Sequence, residues 1–375
     1  MMRTEKLLAE LIALPSVNPA FLPLRHPLAG EKRVADFLAA TAAQAGLDVD
    51  FQKVLPGRSN VIARLRPKNK IQKTILLAPH MDTVGADGTK FIPQRKNGRL
   101  HGRGACDTKG SVAAMLCALC ELAKSKSRPA ETEIIFAGLI DEEQTQAGSR
   151  AFAASGFKAD LAIVGEPTKL QVVTAHKGSL WLHLETQGQS AHGATPHLGK
   201  NAVHEMARVV CALETDYAAR LKKRKHKLLG AATVNVGKIS GGTQPNIVPD
   251  SCVIEVDRRT LPGETEKSVR AEISKLLAAK KLSAKISSAK LAPALPLETD
   301  LKLPLVQSFL RSVKQTRPRG VDYFCDAAVL SAAGMPSVVF GPGDIAQAHT
   351  ADEWISLAEL ERAKDLLVRF LASLP

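Results

Sequence analysis

Apolar positions in the first half of the chain gather into short runs rich in β-branched side chains: SNVIARL (59–65), KTILLAPH (73–80), TEIIFAGLID (132–141) and ADLAIVGEP (159–167). Runs of this length, bounded by polar and turn-forming residues, read as buried strands. Helical patterns lie between them, notably GSVAAMLCALCELAKS (110–125). Strands alternating with helices predict an α/β fold with a largely parallel, three-layer α/β/α sheet.

The pattern changes after Lys177. SLWLHLETQG (179–188) alternates apolar and polar residues, as a half-exposed antiparallel strand does, and NAVHEMARVVCALETDY (201–217) is an amphipathic helix. Two further strands, AATVNVGKISGG and SCVIEVDRR, precede a second helix, EKSVRAEISKLLAAK. The α/β pattern resumes past Pro293, where PSVVFGPG reads as a buried strand. The expected organisation is therefore one α/β domain built from residues 1–177 and 293–375, with a smaller α+β domain, 178–292, inserted into it.

Composition agrees with two folded domains. The chain has 375 residues, too many for one ordinary core, and its 45% hydrophobic and 23% charged residues exclude a disordered chain. No apolar stretch approaches a membrane span in length. The N-terminal MMRTEKLLAELIALPSV mixes charges into a helical pattern and lacks the unbroken apolar stretch of a signal peptide. The expectation is a cytoplasmic protein with no membrane partner.

The formal net charge of +14, densest over Lys222–Lys227, raises the question of nucleic acid. Aromatic residues make up only 4% of the chain, and no aromatic-interleaved basic face appears, so a solvated basic surface is the expected reading. Of the six cysteines, Cys117 and Cys120 form a CxxC inside an apolar helix, with no second CxxC to complete a zinc knuckle, and read as packing residues.

The chemistry gathers where the strands end. KTILLAPH runs into His80-Met81-Asp82, and residues two apart in an extended segment share a side. Open α/β sheets hold ligands beyond the C-terminal ends of their strands. HGRGACDTKG places Asp107 in a glycine-rich turn before a helix, lacking the third glycine of a dinucleotide fingerprint and the order of a phosphate loop. TEIIFAGLID leads into Glu142 and Glu143, which face opposite ways if extended; AIVGEP ends on Glu166; GPGDIAQAHTADEW sets His349 in a loop after a buried strand. Two imidazoles and several carboxylates on one sheet edge suit two borderline divalent ions, bridged by a carboxylate.

Together LLAPHMDTV, GRGACDTKGSVAAM, DEEQTQAGS, GEPT, AHKG, GQSAHGATPHLGKNA and FGPGDIAQAH resemble the co-catalytic zinc amidohydrolases, which include acetylornithine deacetylase, succinyl-diaminopimelate desuccinylase and glutamate carboxypeptidase. The resemblance spans essentially the whole chain. It implies two zinc ions per chain, with Co2+ a candidate substitute, held by His80, Glu143, Glu166 and His349 and bridged by Asp107. It implies that Asp82 orients His80, that Glu142 is the general base, and that the peptide after Asp107 is cis. His192 is implied as an oxyanion donor, reaching the site from the second subunit of a homodimer formed through the inserted domain. Asn246 and Arg259 match positions that grip a substrate carboxylate. The expected reaction is hydrolysis of the amide of a small N-acyl amino acid. GEPTKLQVVTAHKG and VDYFCDAAVLSAAGMP lean toward the acetylornithine deacetylase branch, with desuccinylase or dipeptidase-type carboxypeptidase activity as alternatives. Cys325-Asp326-Ala327 departs from that branch. An inactive basic binding protein on the same fold is the alternative of another class.

Overall fold

The computed structural model describes residues 3–290 and 292–375. They fall into two compact units, one made of the chain up to Thr174 with Thr299–Arg319 and Cys325–Pro375, the other of Ala175–Glu298 with Gly320–Phe324.

The larger unit is built on a mixed sheet. Its strands β1 (Asp48–Leu55), β2 (Arg58–Leu65), β3 (Lys73–Pro79), β4 (Thr132–Gly138), β5 (Leu161–Gly165) and β6 (Ser337–Val339) lie in the order β1-β2-β4-β3-β5-β6. The neighbours β4-β3, β3-β5 and β5-β6 are parallel, as the alternation with helices requires. β1 and β2 form an antiparallel hairpin, and β2 also runs antiparallel to β4, so SNVIARL is not part of the parallel set.

Alternate residues of each strand bury opposite faces of the sheet. Val61, Ala63, Ile75, Leu77, Ile134, Phe136, Leu161 and Ile163 join one core with helices α1 (Thr4–Ile12), α2 (Lys32–Gln44), α3 (Lys109–Ala123) and the C-terminal helix Leu357–Ala372. Ile62, Leu76, Ile135, Ala162 and Val164 are buried on the other face, where helices Ala147–Ala154 and Ala327–Ala332 pack. These are the three layers. α3 is buried nearly all round, with Cys117 and Cys120 inside the core, so the CxxC is packing.

The smaller unit carries a four-stranded antiparallel sheet in the order Thr233–Gly241, Ser251–Thr260, Gly178–Gln187, Lys285–Ser288. Strand Ser251–Thr260 alternates strictly between buried and half-buried positions. Its inward residues Cys252, Ile254 and Val256 pack with Leu182 and Leu184 against Met206 and Val209 of helix Ala202–Ala212 and Ile273 and Leu276 of helix Glu266–Ala279. The first of these helices continues through a π turn, Leu213–Tyr217, that buries Tyr217. Of the basic run, Lys222, Lys223, Lys225 and Lys227 are exposed and Arg224 pairs with Glu272.

Candidate active site

Seven of the ten side chains singled out in the sequence converge in the larger unit, each delivered by a strand end or the loop after it. β3 stops at Pro79, and His80 follows, bridged to Leu139 beyond β4. Asp107 precedes α3, across a cis peptide to Thr108. Glu142 and Glu143 follow β4, Glu166 follows β5, and His349 sits in the loop after β6.

Asp107 is the centre. Its Oδ1 lies 3.2 Å from His80 Nε2 and its Oδ2 lies 3.3 Å from His349 Nε2. His349 Nε2 is also 3.1 Å from a Glu143 oxygen, and His80 Nε2 is 3.8 Å from Glu166. Ligand atoms of His80, Asp107 and Glu143 all lie within 4.8 Å of one another.

Asp82 holds two things at once. The His80 Nδ1 lies 3.0 Å from the Asp82 carbonyl and 3.4 Å from its carboxylate, which places the Nδ1 proton there and turns Nε2 toward Asp107. The two Asp82 oxygens also accept the backbone N–H groups of Glu142, at 3.1 Å, and Glu143, at 3.2 Å. Asp141 has a left-handed backbone, φ 66°, so the two glutamates occupy a turn and the extended case, in which they would face opposite ways, does not apply. Behind Asp82, the Asn18 amide donates to Asp82 at 2.8 Å and to Asp141 at 3.0 Å, and Arg58 pairs with Asp141 at 2.9 Å and with Glu31. Asn18, Arg58 and Glu31 carry no motif; they serve the site only through partners far away in sequence.

The electrostatics favour a bound cation. Burial pushes Glu142 and Glu166 well above the usual carboxylate range, against the pull of His80, and burial beside Asp107 raises Glu143. Burial works against charge on Asp107 too, but hydrogen bonds from His349 and His80 outweigh it and hold that carboxyl low. The bonds of His349 to Asp107 and Glu143 raise that imidazole to about 10. Imidazole nitrogens and carboxylate oxygens thus face one another at contact distance and need positive charge between them, either protons or metal. Nitrogen and oxygen donors in this number suit zinc-class ions, so the residues present fit the metal that the resemblance implies.

The other three predicted residues lie in the smaller unit. His192 is exposed, and its Nδ1 accepts the Ala194 N–H at 3.0 Å, which leaves the proton on Nε2. Asn246 is exposed beside it: its carbonyl accepts the Gly193 N–H at 2.7 Å, and His192 forms a bridge with Ile247. Arg259 is half-buried, paired with Asp257 at 3.0 Å and 5.9 Å from the Phe324 ring.

A three-layer α/β unit with an inserted α+β unit, and acids and imidazoles gathered past its strand ends, defines a hydrolase of the metallopeptidase type. The chain belongs to peptidase family M20/M25/M40, whose profile matches residues 76–373. It is 31% identical to an acetylornithine deacetylase of Proteus mirabilis (strain HI4320), covering 96% of this chain and 94% of the relative. It is likewise 31% identical to an acetylornithine deacetylase of Vibrio campbellii (strain ATCC BAA-1116), covering 91% of each. Among solved structures it shares the fold of aminopeptidase PepT from Bacillus cereus ATCC 10987, with a TM-score of 0.79, 22% identity and coverage of 99% of this chain and 97% of the other. It shares it also with Bacillus subtilis YXEP protein, a dinuclear metal-binding peptidase of family M20, with a TM-score of 0.72, 13% identity and coverage of 98% and 96%. Among the described residues no helix is long and apolar enough to cross a membrane.

Proposed function

We propose that this chain removes the acyl group from an N-acyl amino acid, with acetylornithine-like substrates favoured, in a site holding two zinc ions. One observation supports the reading above the rest: the two oxygens of Asp107 face different imidazoles, His80 and His349, as a carboxylate shared by two ions must. Glu166 joins the His80 side and Glu143 the His349 side. A pair of divalent ions bound there would polarise the scissile carbonyl and acidify the attacking water.

The chain's own groups do the rest. Glu142, held high by burial, takes a proton from the attacking water and returns it to the leaving amine. Asp82 keeps that glutamate and the His80 ring in register through its carboxylate. His192, with its proton on Nε2, donates to the developing oxyanion. Arg259 and Asn246 grip the substrate carboxylate, for which a guanidinium fork is well shaped. Residues 1–177 and 293–375 form the catalytic domain, and residues 178–292 pair two chains in a cytoplasmic homodimer. The relatives named acetylornithine deacetylase support the substrate class.

Glu142→Gln keeps the size of the side chain and abolishes its basicity. Turnover should fall by about two to four orders of magnitude while metal content stays near wild type; full turnover in this variant would remove Glu142 from the role. A panel of N-acetyl, N-succinyl and dipeptide substrates settles the acyl group. Preference for N-acetyl amino acids is expected, and preference for the succinyl or peptide members would transfer the chain to a sibling activity.

A further inference from the structure

The loop that carries Asp107 and the loop that carries His349 are fastened together by one buried carboxylate. Glu353 is 3% exposed. One of its oxygens accepts from Arg103 Nη1 at 2.7 Å and from the Gly104 N–H at 2.9 Å; the other accepts from the Cys106 N–H at 2.8 Å and from the Asp107 N–H at 2.9 Å. The backbone of Glu353 closes the same seam, its carbonyl accepting the Gly102 N–H at 3.0 Å. Arg103, itself 6% exposed, spends its second nitrogen on the Thr350 carbonyl at 3.1 Å, the residue after His349.

The backbone of 104–107 is shaped for this acceptor. Gly104 has φ 82°, which lets neighbouring N–H groups turn toward one anion. A Cβ there would stand 2.9 Å from both Lys109 Cδ and Thr83 Cγ2, so the turn is closed to larger residues. A buried ion pair of this kind adds little to stability, because desolvation offsets its attraction. What it does set is position. Four bonds of 2.7 to 2.9 Å fix where the Asp107 backbone begins and where the chain leaves His349. Metal ligands must be placed within about 0.2 Å.

We infer that Glu353, with Arg103, is a positioning residue of the metal centre: it sets the separation of Asp107 and His349 and so the affinity for the ion they share. The inference rests on the two-ion reading of the site.

Glu353→Gln is the direct probe. The amide has the same shape but turns an NH2 group toward N–H donors. Chelator-stripped protein is titrated with Zn2+ alone and with Co2+ alone, by calorimetry and by the visible Co2+ spectrum. Wild type should take up two equivalents. Glu353→Gln should bind at least one of them about 10–100-fold more weakly, the range for groups that orient ligands, with unchanged far-ultraviolet circular dichroism. Arg103→Lys provides a second arm should Glu353→Gln fail to fold. It keeps a cation beside Glu353 but loses the fork to Thr350, so the equivalent that depends on His349 should weaken about tenfold while the other holds. Wild-type affinity for both equivalents in Glu353→Gln, or in Arg103→Lys when that is the only folded variant, overturns the inference. If wild type binds one equivalent only, the two-ion reading fails, and the clasp is judged by whether Glu353→Gln weakens that one.

Discussion

His176 is a buried imidazole outside the catalytic cluster, and it makes the molecule's response to acid testable at one residue. Its Nδ1 donates to the Lys177 carbonyl at 2.9 Å, and Nε2 has no partner among the described residues. Burial pushes its pKa down to about 4 from 6.5, with the bond to Lys177 opposing. The folded protein therefore resists a proton that the unfolded chain accepts. The contribution of the neutral ring is complete above pH 6.5 and is lost as pH falls from there toward 4. Between pH 8 and pH 5 the loss is about 2 kcal/mol. His176→Gln retains a donor and does not titrate, so its urea midpoint should fall less steeply over that range than that of wild type. Parallel pH profiles for the two proteins would contradict this account. The sequence places it in AHKG, but nothing there signals that the ring is buried. The clustering of the candidate site was legible because ligand-type residues sit where apolar runs stop, at His80, Asp107, Glu143, Glu166 and His349. Asn18, Arg103 and Glu353 were not, because they bond backbone N–H groups or carboxylates as many as 250 positions away.

At the scale of elements, the buried strands and α3 were readable because burial leaves a compositional trace. β1, Asp48–Leu55, was not, since it is an edge strand with no buried residue and as many polar as apolar positions. The turn at 141–146 leaves no such trace: the left-handed Asp141 is bonded by Arg58 and Asn18, which are remote in sequence. Long-range bonds also decide how α1 ends. Lys109, in the first turn of α3, sends its ammonium to the carbonyls of Leu11, at 2.9 Å, and Leu14, at 2.7 Å. Burial lowers the Lys109 pKa to about 7, and the amine satisfies acceptors at the C-terminal end of α1. Lys109→Met keeps the apolar stem and removes both bonds. The variant should lose about 2 kcal/mol of stability, the worth of two buried hydrogen bonds with the Leu14 carbonyl left open, while the Leu11 carbonyl still accepts the Leu14 N–H at 3.2 Å. Calorimetric unfolding should show a lowered midpoint; an unchanged midpoint would mean that other groups satisfy those carbonyls.

At the scale of the whole molecule, the open question is how many chains make one active site. Glu142 and the clustered ligand-type residues lie in the larger unit, while His192 and Asn246 stand exposed together on the smaller one. A donor exposed on one surface can serve a second chain, and twofold pairing is the commonest assembly. His192→Ala should leave metal uptake intact and lower turnover by about two to three orders of magnitude, the usual cost of one oxyanion donor. Mixing it with Glu142→Gln separates sharing from self-sufficiency. In a mixed dimer, the site with intact Glu142 would receive the intact His192 of the other chain, while the opposite site would lack both groups. If pairing is random and sites act independently, half the dimers are mixed and half of their sites work, so activity should return to about a quarter of wild type. Subunit exchange is confirmed separately, by native mass spectrometry of differently tagged chains. Exchange without recovery would place His192 in the service of its own chain, or outside catalysis altogether.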